Sequence, residues 1–468
     1  MTASPPSAEV TITPKQIVLV LLSLVLLIAI PRFLPLPASL TQDSGVPSSS
    51  LGAGLGILCC IALLWLTEAL PLAVTALMVP VLASLSGICD VKTALLPFAD
   101  PLIFLFIGGF ALASALSRQQ LDLWLAQKLL VLGKGRFLPV CLLLFACTAF
   151  LSMWMSNTAT TAMMLPIALG LLRRTNASGQ SHGNQLFLLL GIAYSAGLGG
   201  LATIIGSPPN GIAAAALHIS FAEWMSIGIP CTVVLLPCMA FILYRICKPD
   251  KEIKLNVDQQ PINFQWQHVV TLAVFALTAL CWMSGHWLGQ WLGIKDSIDT
   301  IIALCCVFYL LLLRLVSWRE IEMSIDWNIL LLFGGGLALS DMLQRCGGSA
   351  FLAGELTSGI SSAPLPWILI TVAAFAIISA AFTSNTGCAA LLVPIFFSVS
   401  GDLGLAARTL VIPLALACSC SFMLPISTPP NAIVFSTGLV PQKAMIKNGF
   451  FLSLTCLCLI VFVSYYFL

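Results

Sequence analysis

Apolar runs long enough to cross a lipid bilayer recur from one end of this chain to the other. A helix needs about 20 consecutive apolar residues to span the hydrocarbon core. Segments of this kind fall at 16–36, 51–67, 70–88, 101–117, 185–217, 224–247, 266–291, 297–316, 327–343, 405–436 and 444–467. The sequence therefore predicts an all-α integral membrane protein with about 11 transmembrane helices.

The composition excludes several other classes of protein. The 468 residues are 59% hydrophobic and only 8% charged. A soluble chain carries about 25% charged residues, so a soluble enzyme and a disordered protein are both excluded. The formal charge of +2 leaves no basic surface for DNA or RNA, so we expect no nucleic-acid partner. The partner that this composition predicts is the lipid bilayer.

Two further apolar stretches, 137–172 and 365–400, carry polar residues at their centres. The apolar arms on either side are each too short to span the bilayer alone. Lipid cannot satisfy the backbone polar groups of an irregular segment, so the polar centres must face protein or water. We predict a re-entrant hairpin in each stretch.

The two halves of the chain echo each other in three blocks that occur in the same order. The matched pairs are 106–116 with 333–343, 155–167 with 383–395, and 206–213 with 427–434. Counting the spans places the two copies in opposite orientations. Inverted repeats with polar breaks at matched positions are the best sequence indication of a secondary transporter and its binding site.

The most polar stretch, 248–265, separates the halves and is predicted to be a cytoplasmic loop. The first inverted repeat is then 1–247 and the second is 266–468. Each repeat contains one hairpin and, after it, one apolar span interrupted by a Pro-Pro pair. These two predicted broken helices lie at 185–217 and 405–436.

The Lys and Arg residues are distributed unevenly between the two sides of the membrane. This holds when the N-terminus is placed in the cytoplasm and successive spans run in alternate directions. The cytoplasmic segments then hold 15 Lys and Arg residues, and the external segments hold five. This bias obeys the positive-inside rule and supports a cytoplasmic N-terminus. With 11 spans, the C-terminus is then expected to lie outside. Together with short loops and no secretory signal, the bias indicates a cell inner membrane.

The centres of the two hairpins carry the same three residues, Ser-Asn-Thr, at 156–158 and at 384–386. Ser and Asn favour helix N-caps and turns, because their side chains bond nearby backbone groups. Such a tip frees backbone N–H groups for an anion. The helix that follows directs the positive end of its dipole to the same place.

The Pro-Pro pairs predict breaks in the two spans that contain them. They occur in Ser207-Pro208-Pro209-Asn210 and in Thr428-Pro429-Pro430-Asn431. Two prolines remove two backbone donors and block the helix. A break leaves carbonyl oxygens free, and these suit a hard cation such as Na⁺.

None of these four motifs contains a charged residue. An anion site built from neutral groups needs positive charge from elsewhere, because helix ends supply only partial charges. Co-transported Na⁺ bound beside each hairpin would supply that charge. It would also couple the ion gradient to the movement of the anion.

These blocks resemble the divalent anion/sodium symporter family, the dicarboxylate and citrate carriers. The matching segments are 65–82, 104–116, 152–167, 205–210, 382–386 and 427–433, which together extend over nearly the whole chain. The resemblance implies a transporter, not an enzyme, that imports di- or tricarboxylates of the succinate, malate, fumarate or citrate class with Na⁺. It also implies a homodimer. In each protomer a transport domain, with both hairpins and both broken helices, would move like an elevator against a scaffold domain.

The resemblance further implies ligands for the ions and the substrate. The first Na⁺ site would consist of Ser152, Ser156, Asn157 and Gly206. The second would consist of Ala380, acting through its carbonyl, with Ser384, Asn385 and Ser427. The substrate carboxylates would meet Ser156, Asn157, Thr158, Ser207, Ser384, Asn385, Thr386, Thr428 and Pro429.

One departure from the family pattern affects the second ion site. Many sodium-coupled relatives read Thr-Glu-Phe-Thr-Ser-Asn where this chain has Ala-Ala-Phe-Thr-Ser-Asn at 380–385. A hydroxyl and a carboxylate are lost. A Na⁺-independent dicarboxylate exchanger therefore stays open as the alternative function.

Other classes of membrane protein lack their signatures here. A cation/proton antiporter would need an ionisable residue in the breaks, and none is there. No base suited to an intramembrane serine protease and no ATP-binding loop is visible. Opposed repeats favour alternating access over a channel, which the sequence alone does not exclude. Glu68, at the end of a span, is either a proton or ion ligand or an interfacial structural residue.

Overall fold

The structure is a computed structural model that describes residues 13–33, 48–121, 136–174, 182–250, 265–294, 297–360 and 363–467, together with 124, 128 and 132. Most of the predicted loop at 248–265 lies outside these residues. The elements within them are all helices, which confirms the predicted all-α class.

The helices of the first half follow the predicted spans closely. They are α1 (Pro14–Phe33), α2 (Ser48–Thr67), α3 (Leu72–Leu85), α4 (Val91–Leu95), α5 (Pro101–Arg118), α6 (Phe137–Ser152), α7 (Asn157–Arg174), α8 (His182–Gly200), α9 (Pro208–Leu217) and α10 (Phe221–Cys247).

The helices of the second half are α11 (Trp266–Met283), α12 (Gly285–Leu292), α13 (Ile298–Leu312), α14 (Trp318–Ser324), α15 (Trp327–Arg345), α16 (Gly348–Ile360), α17 (Leu365–Phe382), α18 (Asn385–Asp402), α19 (Ala407–Cys418), α20 (Pro429–Phe435) and α21 (Gln442–Phe467). In this half the predicted span 266–291 consists of two helices, and α14 and α16 lie outside the predicted spans.

Seven helical runs in the described part of the chain are long and apolar enough to cross a membrane. They are α1, α2, the run 91–118 that ends with α5, α10, α11, α17 and α21. An eighth results if α14 and α15, which meet at a bend of 60°, form one span. The chain is therefore a multi-pass membrane protein, and the number of 11 spans stays a prediction.

Both predicted hairpin stretches fold as two helices joined by a short turn. In the first, α6 ends at Ser152 and α7 begins at Asn157; in the second, only two residues separate α17 from α18. The expectation that each arm is too short to span was wrong for α17, which is 18 residues long. Its apolar run continues almost uninterrupted to the tip.

Each Pro-Pro span holds two helices separated by an irregular segment. The first is irregular between Gly200 and Pro208, and the second between Cys418 and Pro429. In both, a proline is the first residue of the following helix. The missing N–H is harmless at that position, and the fixed φ of proline suits the first turn.

The packing of α5 on α13 repeats in the packing of α15 on α3. A Cβ added to Gly108 in α5 would lie 2.5 Å from the Cβ of Ala303 in α13. A Cβ added to Gly335 in α15 would lie 2.5 Å from the Cβ of Ala76 in α3. Gly108 and Gly335 occupy matched positions of the two halves, and so do Ala76 and Ala303. The first contact takes its glycine from the first half, and the second contact takes its glycine from the second half. Glycine permits this close approach, because any side chain would separate the helices.

Candidate functional site

The two Ser-Asn-Thr tips act as helix N-caps. Ser156 Oγ accepts a hydrogen bond of 3.2 Å from the backbone N–H of Ala159. Ser384 Oγ accepts one of 3.0 Å from the N–H of Gly387. Each serine thus satisfies one of the free donors in the first turn of α7 or α18. The remaining free N–H groups stay at the tips.

Two asparagines, Asn210 and Asn431, stabilise the breaks. Neither is among the residues predicted from the sequence to bind the substrate or Na⁺. Asn210 Nδ2 donates to the carbonyls of Gly200 and Thr203, both at 2.8 Å. Asn431 Nδ2 donates to the Leu424 carbonyl at 3.1 Å and to Ser427 Oγ at 3.2 Å. The signal was present in the repeated Pro-Pro-Asn, where the asparagine follows the break at the same distance in both halves.

The tips and breaks of both halves meet at one cavity of about 950 Å³. All nine residues predicted to meet the substrate line it, namely Ser156, Asn157, Thr158, Ser207, Ser384, Asn385, Thr386, Thr428 and Pro429. Gly206 and Ser427, predicted for the ion sites, line it as well. Ser152 and Ala380 lie outside the lining and are fully buried.

Behind the first tip, oxygen atoms surround one end of the Asn157 amide. Ser152 Oγ lies 2.5 Å from Asn157 Oδ1. The carbonyl oxygens of Ala196 and Gly206 lie 3.0 and 3.2 Å from the same end of the amide. An amide oxygen that faces only acceptors is unfavourable. The cluster is satisfied when the Asn157 amide turns its nitrogen to this side, where it donates to Ser152 Oγ and to both carbonyls.

Behind the second tip, the oxygen atoms are arranged differently. Ser421 Oγ donates a hydrogen bond of 2.7 Å to Asn385 Oδ1. Ser427 Oγ lies 2.7 Å from the Leu424 carbonyl oxygen and 2.9 Å from that of Ser421, and its single proton is shared between them. Ala380 occupies the position that corresponds to Ser152 and has no hydroxyl to offer.

The ionisable side chains that line the cavity, among the described residues, are the acidic Glu68 and Asp326. The Asp326 carboxylate accepts a 3.1 Å bond from the N–H of Asn328 and so caps α15. The four helices that follow the tips and breaks, α7, α9, α18 and α20, begin at the cavity. Their N-terminal ends carry partial positive charge, which favours an anion.

A second cavity, of about 470 Å³, lies at the opposite end of α9. Its lining includes Asp100, His218 and the ion pair of Arg345 with Asp341, whose atoms are 2.7 Å apart. The rings of Phe106 and Phe333, with centroids 5.6 Å apart, pack on Gly211 between the two cavities. A Cβ at Gly211 would lie only 2.5 Å from the Phe106 ring.

Comparison with known proteins gives the family. Residues 62–380 match the model of a family described as citrate transporters. The chain belongs to the citrate transporter family. This confirms the resemblance seen in the repeated motifs, and it identifies a transporter and not an enzyme.

Individual relatives extend the match beyond that segment. This member of the citrate transporter family is 44% identical, over 422 residues, to a protein of Haemophilus influenzae named as an uncharacterized transporter; the match covers 89% of this chain and 91% of that one. It is 32% identical over 443 residues to the sodium-dependent dicarboxylate transporter SdcS of Staphylococcus saprophyticus, covering 87% of this chain and 84% of that one.

A solved structure shares the fold. The crystal structure of the YdaH transporter of Alcanivorax borkumensis matches with a TM-score of 0.55 and 14% sequence identity. The match covers 80% of this chain and 86% of that one. At this identity the likeness concerns the fold alone.

Proposed function

We propose that this protein is a secondary active transporter that imports di- or tricarboxylates together with Na⁺. The observation that carries the proposal is the single cavity at which both Ser-Asn-Thr tips and both Pro-Pro breaks converge. The name of the relative SdcS, a sodium-dependent dicarboxylate transporter, supports the same substrate class and the same ion.

The tips supply hydrogen-bond donors that suit two carboxylate groups. One tip is available for each end of a dicarboxylate, and each tip begins a helix whose dipole favours negative charge. The side chains offered are hydroxyls and amides, at Ser156, Asn157 and Thr158 and at the matching 384–386. Hydroxyl and amide N–H groups donate to carboxylate oxygens, and such bonds are stronger than bonds between neutral groups.

The charges of the cavity support coupling to a cation. Its ionisable lining residues in the described part of the chain, Glu68 and Asp326, carry the same sign as the substrate. Helix ends compensate only in part, since each is equivalent to about half an elementary charge. Na⁺ bound behind each tip would supply the rest, and Glu68 and Asp326 would attract Na⁺ to the cavity mouth.

The oxygen atoms around Asn157 fit the first Na⁺ site. They combine the Ser152 hydroxyl, the two carbonyls and, when its oxygen is turned to face them, the Asn157 amide, which is the donor set of a hard cation. We also propose that the chain consists of two inverted repeats, 1–247 and 266–468, and that this symmetry serves the movement of the substrate. The exchanged contacts of Gly108 with Ala303 and of Gly335 with Ala76 support this symmetry.

Alternating access would follow the elevator mode. The hairpins and broken helices would form the transport domain, while α3, α5, α13 and α15 would belong to the scaffold. We place the protein in a cell inner membrane with its N-terminus in the cytoplasm. In that orientation the larger cavity would open to the cytoplasm and the smaller one to the outside. The Phe106–Phe333 pair would close the path between them. We further propose a homodimer, in which two scaffold domains hold each other fixed.

A Na⁺-independent dicarboxylate exchanger is the second candidate. The observation in its favour is Ala380, which is fully buried and carries no hydroxyl at the position of Ser152. If the second Na⁺ site were missing, the electrochemical coupling would weaken and exchange of one anion for another would become the main reaction.

Uptake of radiolabelled succinate into proteoliposomes separates these candidates. The vesicles are either empty or preloaded with unlabelled succinate, and each set is assayed with and without an inward Na⁺ gradient. We expect uptake into empty vesicles that requires Na⁺ and that unlabelled malate, fumarate or citrate inhibits. Uptake that needs internal succinate and is indifferent to Na⁺ would establish the exchanger instead.

Replacement of Thr158 by valine tests the assignment of the tip to substrate. Thr158 is exposed to the cavity, so its hydroxyl is available to a carboxylate. Loss of one hydrogen bond to a charged group should raise the KM for succinate about tenfold, while the half-saturating Na⁺ concentration changes less. Thr371→Val is the matched control, because Thr371 is an exposed residue of α17 outside the cavity lining. A larger change in the Na⁺ response than in the KM would contradict the assignment.

A further inference from the structure

The two halves of the transporter place a serine beside the tip asparagine in two different ways. In the first half the serine is Ser152, at the end of α6, and its Oγ lies 2.5 Å from Asn157 Oδ1. In the second half the corresponding residue is Ala380, which has no hydroxyl. The serine that contacts Asn385 Oδ1 there is Ser421, at 2.7 Å.

The position of Ser421 is occupied by a glycine in the first half. When the breaks are matched by their Ser/Thr-Pro-Pro-Asn segments, Ser421 corresponds to Gly200. A Cβ built on Gly200 would lie 2.5 Å from Asn157 Oδ1. The side chain at this position therefore points directly at the tip asparagine, and the first half has no room for it because the Asn157 amide and the Gly206 carbonyl oxygen lie within 3.0 Å of that Cβ.

The exchange is thus reciprocal. The first half combines serine on the hairpin arm with glycine in the break, and the second combines alanine on the arm with serine in the break. Each half contains one hydroxyl against its asparagine, and both hydroxyls are fully buried. The loss at position 380 is compensated from the opposite side of the site.

We propose that Ser421 supplies the hydroxyl ligand of the second Na⁺ site, in the role that Ser152 has in the first. The inference rests on the proposed Na⁺ coupling and deepens it. The ligands around this ion would be Ser421 Oγ, Asn385 Oδ1 and backbone carbonyls of the second break. The departure at Ala380 therefore leaves the second site with its hydroxyl and does not favour the exchanger.

The test measures Na⁺ binding without relying on transport. Purified protein is melted over a series of NaCl concentrations, with choline chloride keeping the ionic strength constant, because a ligand of the native state raises the Tm by mass action. Ser421→Ala should raise the half-saturating Na⁺ concentration about tenfold or more, as expected for loss of a metal-site partner. The Ala380→Ser/Ser421→Ala double variant returns the hydroxyl from the hairpin arm and should restore the wild-type response.

Ser152→Ala is the matched control. It should weaken the Na⁺ response through the first site, and adding Ala380→Ser should not restore it. If Ser421→Ala does not fold, Ser421→Cys replaces the oxygen with a sulfur atom that is too soft for Na⁺ and should show the same loss.

The inference is overturned if Ser421→Ala keeps the wild-type half-saturation, or if it loses the response and the double variant does not regain it. A wild-type protein that Na⁺ does not stabilise overturns both this inference and the proposed coupling. The succinate assay separates these cases, because an exchanger still takes up label into preloaded vesicles.

Discussion

Carboxylate uptake by the Asn157→Ala variant is expected to fall to the background of protein-free vesicles. The Asn157 amide lies among Ser152 Oγ and the carbonyls of Ala196 and Gly206. Its removal takes one ligand from the proposed first Na⁺ site and leaves the buried oxygens facing one another. The affinity for the ion should fall about 10-fold to 100-fold. In the proposed mechanism this ion carries the charge that binds the anion, so succinate affinity should be lost with it.

Asn385→Ala should have the same effect through the second tip, where the amide oxygen accepts from Ser421. Both variants are measured by succinate uptake in proteoliposomes, after size-exclusion chromatography has established that they are folded. The control is Asn448→Ala, a buried asparagine outside the cavity lining whose Nδ2 donates to the Ala444 carbonyl at 2.8 Å. It should lower the Tm but keep Na⁺-dependent uptake. Normal uptake by both tip variants would contradict the assignment of Asn157 and Asn385 to the binding site.

Gly206→Ala is expected to abolish uptake although it adds a single methyl group. Gly206 lies in the first break, and a Cβ there would be 2.7 Å from the Gly200 carbonyl oxygen and 3.0 Å from that of Ser152. These neighbours are backbone atoms, which cannot rotate away as a side chain can. The break must therefore widen, which separates the carbonyls from Asn157.

The control for this variant is Gly170→Ala, in α7. A Cβ at Gly170 would meet no atom within 4 Å, and alanine is the better helix former. This variant should transport normally and be at least as stable as the wild type. Full activity of Gly206→Ala, measured as succinate uptake and as Na⁺-dependent stabilisation, would mean that the spacing at the break does not matter for binding.

The sequence predicted the elements that face the cavity with good accuracy. The polar centres at 156–158 and 384–386 are tips between helices, and both Pro-Pro pairs follow irregular segments. These features are local. Serine caps and prolines at the start of a helix act through backbone bonds within three or four residues, so the pattern alone reports them.

The number of spanning helices was harder to predict. Length and hydropathy select seven runs in the described part of the chain, or eight with the bent pair, against the predicted 11. Helices such as α3, α13 and α19 are apolar but short. Hydropathy does not distinguish a short spanning helix from a buried one, because both face apolar surroundings.

The pairing of distant residues was decided by the tertiary structure alone. Nothing within the sequence near Asn385 indicates that Ser421 contacts it, since 36 residues separate the two. In the same way, Asp326 faces the cavity only because α14 and α15 bend beside it. The repeated motifs identified which residue types line the cavity, because caps and breaks are local and each half carries its own copy. The fold decided which side of each site supplies the hydroxyl, because that depends on how close a helix from elsewhere in the chain can approach.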